Sequence, residues 1–135
     1  METAVLSKRI GIYLFNLILY LAMGFGASLP FSMVLHWHVA YYILISLSIT
    51  IILSFLFDFI LTLITRGYNL GSAIFGVKYV SMDNKRITAK QAFIRSSSES
   101  IFIFALFDLF YFIKNRTERG VIDRLSGTFA IDNRR

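Results

Sequence analysis

Residues 39–64 constrain this chain more than any other part of it. The stretch runs for 26 residues with a single charge, Asp58. A helix of that length reaches about 39 Å, longer than a hydrocarbon core of roughly 30 Å. A carboxylate inside such a span costs about 2.5–3.5 kcal/mol on insertion scales, so Asp58 needs a partner, a proton or water. Ser46, Thr50, Ser54, Asp58 and Thr62 recur at every fourth position, and Thr65 falls on the same side. On a helix that spacing makes a slowly winding polar stripe. The hydroxyls have a structural use, bonding their own i−4 carbonyls or letting a neighbouring helix pack close. Asp58 is the residue for which a functional use competes with that one.

Composition agrees with lipid as the solvent. Of 135 residues 56% are hydrophobic and only 16% charged, with 14 Phe and 7 Tyr, whereas a soluble domain is about 25% charged. The length fits a single domain. Cysteine is absent, which excludes a disulfide framework, a thiolate metal site and a cysteine nucleophile. The net charge of +6 would suggest nucleic acid in a soluble chain. Here the positions of the cations point to membrane topology instead, and no nucleic-acid partner is expected.

Lys8 and Arg9 precede an apolar run, residues 10–29, that is too long for the core of a signal peptide, so it reads as a retained first transmembrane helix. At 100° per residue Arg9, Tyr13, Asn16, Tyr20, Gly24 and Ala27 fall within an arc of about 80°. Asn16 and Asp58 each lie about 9 Å inside their helices if both are anchored on one side, which predicts a hydrogen bond between them. The connecting loop, residues 29–38, holds no Lys or Arg. His36 and His38 form an i,i+2 pair without a nearby carboxylate or thiol, a weak metal signal. Trp37, Tyr41 and Tyr42 read as an interfacial aromatic belt.

Residues 66–95 carry six Lys or Arg. A strand over residues 74–80, turn chemistry at Asp83 and Asn84, and a return strand over residues 86–88 predict a small β-hairpin, followed by an amphipathic helix from about Ala89. Residues 96–113 predict a short membrane-embedded helix, because their apolar part, residues 101–113, spans only about 20 Å and contains Asp108. Residues 114–135 form a basic tail in which residues 129–131 are a candidate extra strand for the hairpin. Of the 14 cations, two precede the first helix, six lie in residues 66–95 and six follow residue 113. The positive-inside rule then places both termini and the hairpin in the cytoplasm. Two crossings satisfy the count, and the third run is read as re-entrant or as a steep packed helix, with a full third crossing as the alternative. The expected fold is an all-α integral membrane protein with two transmembrane helices, that third short helix and a cytoplasmic β-hairpin.

Four segments carry a family resemblance. Residues 8–16 (KRIGIYLFN), 69–80 (NLGSAIFGVKYV), 91–96 (QAFIRS) and 119–128 (RGVIDRLSGT) occur in the order of the motifs of the RDD family, which the chain resembles over nearly its whole length. That is a family of small bacterial integral membrane proteins. Arg9 stands in the family's Arg position, Asn16 where the family usually has Asp, and Asp123 at its second Asp. Arg95, Arg124, Gly127 and Thr128 complete the matching polar positions, and Ile122 replaces a His. The resemblance implies a bacterial cytoplasmic membrane and, for some members, cation/proton antiport. Antiport needs a carboxylate that takes either a proton or a cation. Asn16 does not titrate, so the candidate ion or proton sites are Asp58 and Asp108, with Asn16 as a polar neighbour. Asp123 has a structural alternative, pairing with Arg119 at i,i+4 or with Arg9 or Arg95 in a buried cluster.

Function at this point divides between a proton-linked cation or solute transporter working as an oligomer and a non-catalytic scaffold or accessory subunit. The latter would bind a larger membrane partner or anionic lipid through its basic segments. An enzyme is not expected. No triad, metal cluster or phosphate loop stands out, the glycines at 24, 26, 71 and 76 lack strand–turn–helix context, and no cofactor is implied.

Overall fold

A computed structural model describes residues 4–36, 38–83, 85–115 and 119–133. Helices α1 (Leu6–Leu35) and α2 (Val39–Ile64) are long and apolar enough to cross a membrane. They pack antiparallel: Ser28 meets Ser46, and Tyr20 meets Asp58. The buried residues of α2 are Ser46, Thr50, Ser54, Asp58 and Thr62, the stripe read from the sequence. On α1 the buried residues are Arg9, Ile12, Asn16, Tyr20, Gly24 and Ser28. Ala27, expected on that face, is exposed, and Ser28 takes its place. Both contact faces therefore step by four, the pattern of interlocking i±4 ridges. The step works because the side chains are small. A Cβ on Gly24 would collide with the Thr50 hydroxyl and the Ser46 carbonyl oxygen. The Ser46 and Thr50 hydroxyls donate to the carbonyls one turn back, at 2.6 and 2.8 Å.

The first helix does not end near residue 29. It continues through Pro30 to Leu35 and closes at His36 in the left-handed region (φ 50°). Proline removes one i→i−4 donor, which here would meet the carbonyl of Gly26, a residue facing open space. Tyr42, placed in the aromatic belt, donates its hydroxyl to the Phe25 carbonyl at 3.0 Å and packs edge-on against the Phe25 ring. Tyr41 is exposed. Trp37 lies outside the described residues, as do Asn84 of the expected turn and Arg134 and Arg135 of the tail.

The sheet corrects the expected hairpin. Residues 69–75 start a helix, α3 (Leu70–Phe75), through a reciprocal Asn69–Ser72 capping box, and Gly76 at φ 68° ends it. The strand is therefore β1 (Val77–Ser81), shorter than expected at its start. Residues 86–88 do not return as a strand because Thr88 and Gln91 form the capping box of α4 (Ala89–Ser100). The partner strand is instead β2 (Thr128–Asp132), which includes the tail segment expected to join the sheet. It pairs antiparallel with Val77 opposite Asp132 and Ser81 opposite Thr128. The other edge of β1 is held by the Tyr79 N–H donating to Gly67 at 2.8 Å, where a glycine Cβ would strike the Tyr79 carbonyl. Ala4 donates to the Ala130 carbonyl at 3.0 Å, so the start of α1, the end of α2 and β2 share one end of the helix pair. The core there contains Ile12, Val77, Tyr79, Ile87, Ala92 and Ala130.

Helix α4 docks on α2 through Phe93, whose ring stands edge-on to Phe55 and Phe59 at 5.4 and 5.9 Å. The chain then bends by 95° into α5 (Phe102–Asn115). Residues 96–100 thus belong to the polar helix before the bend and not to the embedded helix, which begins at Phe102. The bent pair is either a broken third span or a re-entrant element. A short helix, α6 (Val121–Ser126), leads into β2.

Candidate functional site

The polar interior is arranged in three layers along the α1–α2 pair. At the sheet end, Asp123 of α6 is 1% exposed and sits between two guanidinium groups. Arg95 Nη1 donates to Asp123 Oδ1 at 2.6 Å, and Arg9 Nη2 donates to Asp123 Oδ2. Arg95 reaches Asp123 because α4 runs beside α6; Arg9 reaches it from the first turn of α1. Of the three pairings open to Asp123, those with Arg9 and Arg95 are made together. Arg119 takes a different partner, donating to the backbone carbonyls of Asp123 and Thr128 at 3.2 Å each. Burial alone would raise the Asp123 carboxyl, but Arg95 and Arg9 outweigh it and hold the group below the usual carboxylate range.

Arg95 also lies 2.6 Å from Glu99 Oε1, an ion pair whose angle falls short of a hydrogen bond. Asn69 donates to the other Glu99 oxygen at 3.2 Å. Cation–π contacts complete the layer, with the Arg95 Cζ 3.4 Å from the centre of the Tyr79 ring and the Arg9 Cζ 4.4 Å from that of Phe112. The Tyr79 phenol, raised by burial against the opposing pull of Arg95, stays protonated well above the usual range. Among the described residues the ion pairs of this layer join two guanidinium groups, Arg9 and Arg95, to two carboxylates, Asp123 and Glu99. Thr128 accepts from Arg95 at 3.1 Å, and Gly127 turns the chain at φ 65° so that β2 can return to β1. Arg9, Arg95, Asp123 and Thr128 are thus brought together. Arg124 is not; it is exposed, with its guanidinium 5.5 Å from the Tyr111 ring.

The second layer centres on Asp108 of α5, 1% exposed. Tyr13 donates to Asp108 Oδ2, and the Ile122 backbone N–H donates to Oδ1 at 2.9 Å. Asp108 therefore satisfies one of the free N–H groups at the start of α6. Gly120 is required beside it, since a Cβ there would run into the carboxylate.

In the third layer Tyr20 donates to Asp58 Oδ1 at 2.6 Å. The expected Asn16–Asp58 bond is not made. Asn16 Oδ1 instead accepts from the Gly71 backbone N–H at 2.9 Å, because α3 tucks against α1 where Gly71 leaves no room for a side chain. That contact asks only for an oxygen acceptor, so Asn serves where a carboxylate would. Tyr20 lies one turn further along α1 and reaches Asp58 in its place. Among the described residues Tyr20 is the one hydrogen-bond donor to Asp58, and no cation lies within ion-pair reach of it. Beside this pair opens a cavity of about 470 Å³ between α1, α2 and α5, with Asn16, Tyr20, Thr50, Ser54, Asp58 and Glu99 among its lining. No group of three or more metal-ligating side chains occurs among the described residues.

Sequence reading missed Glu99, Tyr13 and Tyr79. An i,i+4 Arg95–Glu99 spacing was the available signal for the first. Tyr13 lies on the polar arc of the first helix, but nothing there points to Asp108, 95 residues away, and Tyr79 carried no signal, its partner lying in another element.

This fold and its layered interior define a small integral membrane protein whose terminal sheet is tied to its first helix by buried ion pairs. The model of the RDD family matches residues 3–127, and the chain belongs to that family. No curated protein and no solved structure matches it.

Proposed function

We propose that the protein is a non-enzymatic, proton-linked transporter of a cation or cationic solute, working as an oligomer in the bacterial cytoplasmic membrane. Its exchangeable group is Asp58. The observation that carries this reading is the position of that carboxylate, 3% exposed, inside α2 six residues before Ile64, on a cavity and without a counter-cation among the described residues. Such a group is costly in a membrane interior unless it holds a proton or meets a cation, and a carboxyl that can do either in turn can couple the two. Asp108 spends both oxygens on Tyr13 and Ile122 and is assigned to packing. The ion-paired layer holds each of its carboxylates against a guanidinium and serves as the frame. Two crossing helices cannot enclose a path alone, hence the oligomer, and both termini lie in the cytoplasm by the distribution of cations.

Purified protein in liposomes, with internal pH followed as cation gradients are imposed, tests the reading. Flux should vanish in Asp58→Asn and persist in Asp108→Asn. Silence of the wild type with every cation offered would refute it, and loss in Asp108→Asn alone would refute the assignment to Asp58. The second reading, an accessory subunit on anionic lipid, is favoured by the exposed cations Lys85, Arg86 and Lys90 near the sheet. Neutralising them should then weaken binding to anionic vesicles with strong salt sensitivity.

A further inference from the structure

We infer that the cavity between α1, α2 and α5 binds a lipophilic organic cation, a bulky apolar body bearing one quaternary or delocalised charge, with Asp58 as its counter-ion. The inference rests on the transport reading and narrows its substrate class. Volume comes first: about 470 Å³ is the size of a small-molecule site and far exceeds what one ion fills. The wall comes second. Leu14, Leu47, Ile51, Phe102 and Leu106 line the cavity and are themselves exposed on the flank of the helices. The cavity thus opens sideways, toward lipid, and an occupant arrives from the bilayer. Such a wall cannot replace the water shell of a small hydrated ion, which asks for about six oxygen ligands. No group of three or more metal-ligating side chains occurs among the described residues.

Charge decides between a neutral occupant and a cation. Glu99, the other carboxylate on the lining, is already paired with Arg95, whereas Asp58 keeps one oxygen without a donor among the described residues. A cation whose body sits against the leucines and the Tyr20 and Phe102 rings completes that carboxylate and gains from the ring faces. When it enters, the carboxyl gives up its proton, and a carboxylate–cation pair plus a free proton replace the neutral acid. The groups facing Asp58 are Tyr20 from α1 and Glu99 and Arg95 from α4, while the lining residues of α5 are uncharged. Tyr20 keeps its proton as donor, and Arg95 and Glu99 neutralise each other, which leaves Asp58 as the proton source.

The test is binding of tetraphenylphosphonium to the full chain in nanodiscs, against empty discs, with proton release followed by a dye in weak buffer. Saturable binding with proton release is expected. Asp58→Asn should weaken binding by about tenfold or more and abolish the release. It retains the oxygen that accepts from Tyr20, and so the local fold. Ala105→Phe, which fills the cavity from α5, should weaken binding without touching a charge. Tetraphenylborate, the same shape with opposite charge, should not bind saturably. Equal binding of the borate, unchanged binding in either variant, or no binding above empty discs overturns the inference. Sodium-driven proton flux without phosphonium binding would leave transport standing and remove this substrate class. Phosphonium binding with no flux for any cation would do the reverse.

Discussion

Replacing Asp123 by Asn should be among the most damaging single changes available to this protein. The carboxylate is 1% exposed and serves two guanidinium groups that are themselves 4% and 2% exposed, Arg9 and Arg95. Asparagine keeps the shape and one acceptor oxygen but removes the charge. Arg95 retains Glu99; Arg9 has no other carboxylate within ion-pair reach among the described residues. Leaving one buried cation uncompensated costs about 3–5 kcal/mol, which for a chain of this size is a fall in unfolding temperature of roughly 10–20 °C. The assay is thermal unfolding in mild detergent. The same network predicts a rescue, since Arg9→Met together with Asp123→Asn removes one charge of each sign and leaves Arg95–Glu99 intact. The double variant should be more stable than the sum of the single changes by about 1–3 kcal/mol. Strict additivity, or a single variant that melts with the wild type, refutes the network.

The pH dependence has a definite sign. Because Asp123 is held below the usual range in the folded protein, its stabilisation is complete above the unfolded-state value, about 4, and is lost as pH falls through the folded-state value. The unfolding temperature should stay level for this group from pH 8 to about 5 and decline only in acid, with the Asp123 part of that decline missing in Asp123→Asn.

Two further outcomes follow from the packing and the orientation. Ser28→Cys with Ser46→Cys should form a disulfide on mild oxidation, since the two Oγ atoms lie 2.5 Å apart, and Gly24→Val should prevent it by separating α1 from α2; gel mobility reads both. For the proposed topology, a membrane-impermeant maleimide should label His38→Cys in intact cells and Lys85→Cys only after lysis. Labelling of Lys85→Cys from outside would reverse the orientation.

Much of the frame was legible because lipid leaves few options. The limits and the buried stripe of α2 follow from apolar length, a four-residue step and the shortage of charge. The hairpin was misread because local strand propensity over residues 74–80 competes with two capping boxes whose reciprocal bonds favour helix. The apolar run predicts a helix end near residue 29, yet inside an apolar helix pair the chain has no better use for its backbone groups than to continue through Pro30.

The sequence by itself determined the solvent, the two spans, the polar face of each and the family, since hydrophobic length and periodicity are local properties. Tertiary structure alone decided who pairs with whom. Asp58 is held by Tyr20 and not Asn16, Asp108 caps α6, and Asp123 is shared between Arg9 and Arg95. Those choices depend on α3 wedging against α1 and on the tail returning to β1. A buried charge is satisfied by whatever donor the fold delivers to it, and beyond one helical turn, as between Arg95 and Glu99, sequence distance carries no information about that delivery.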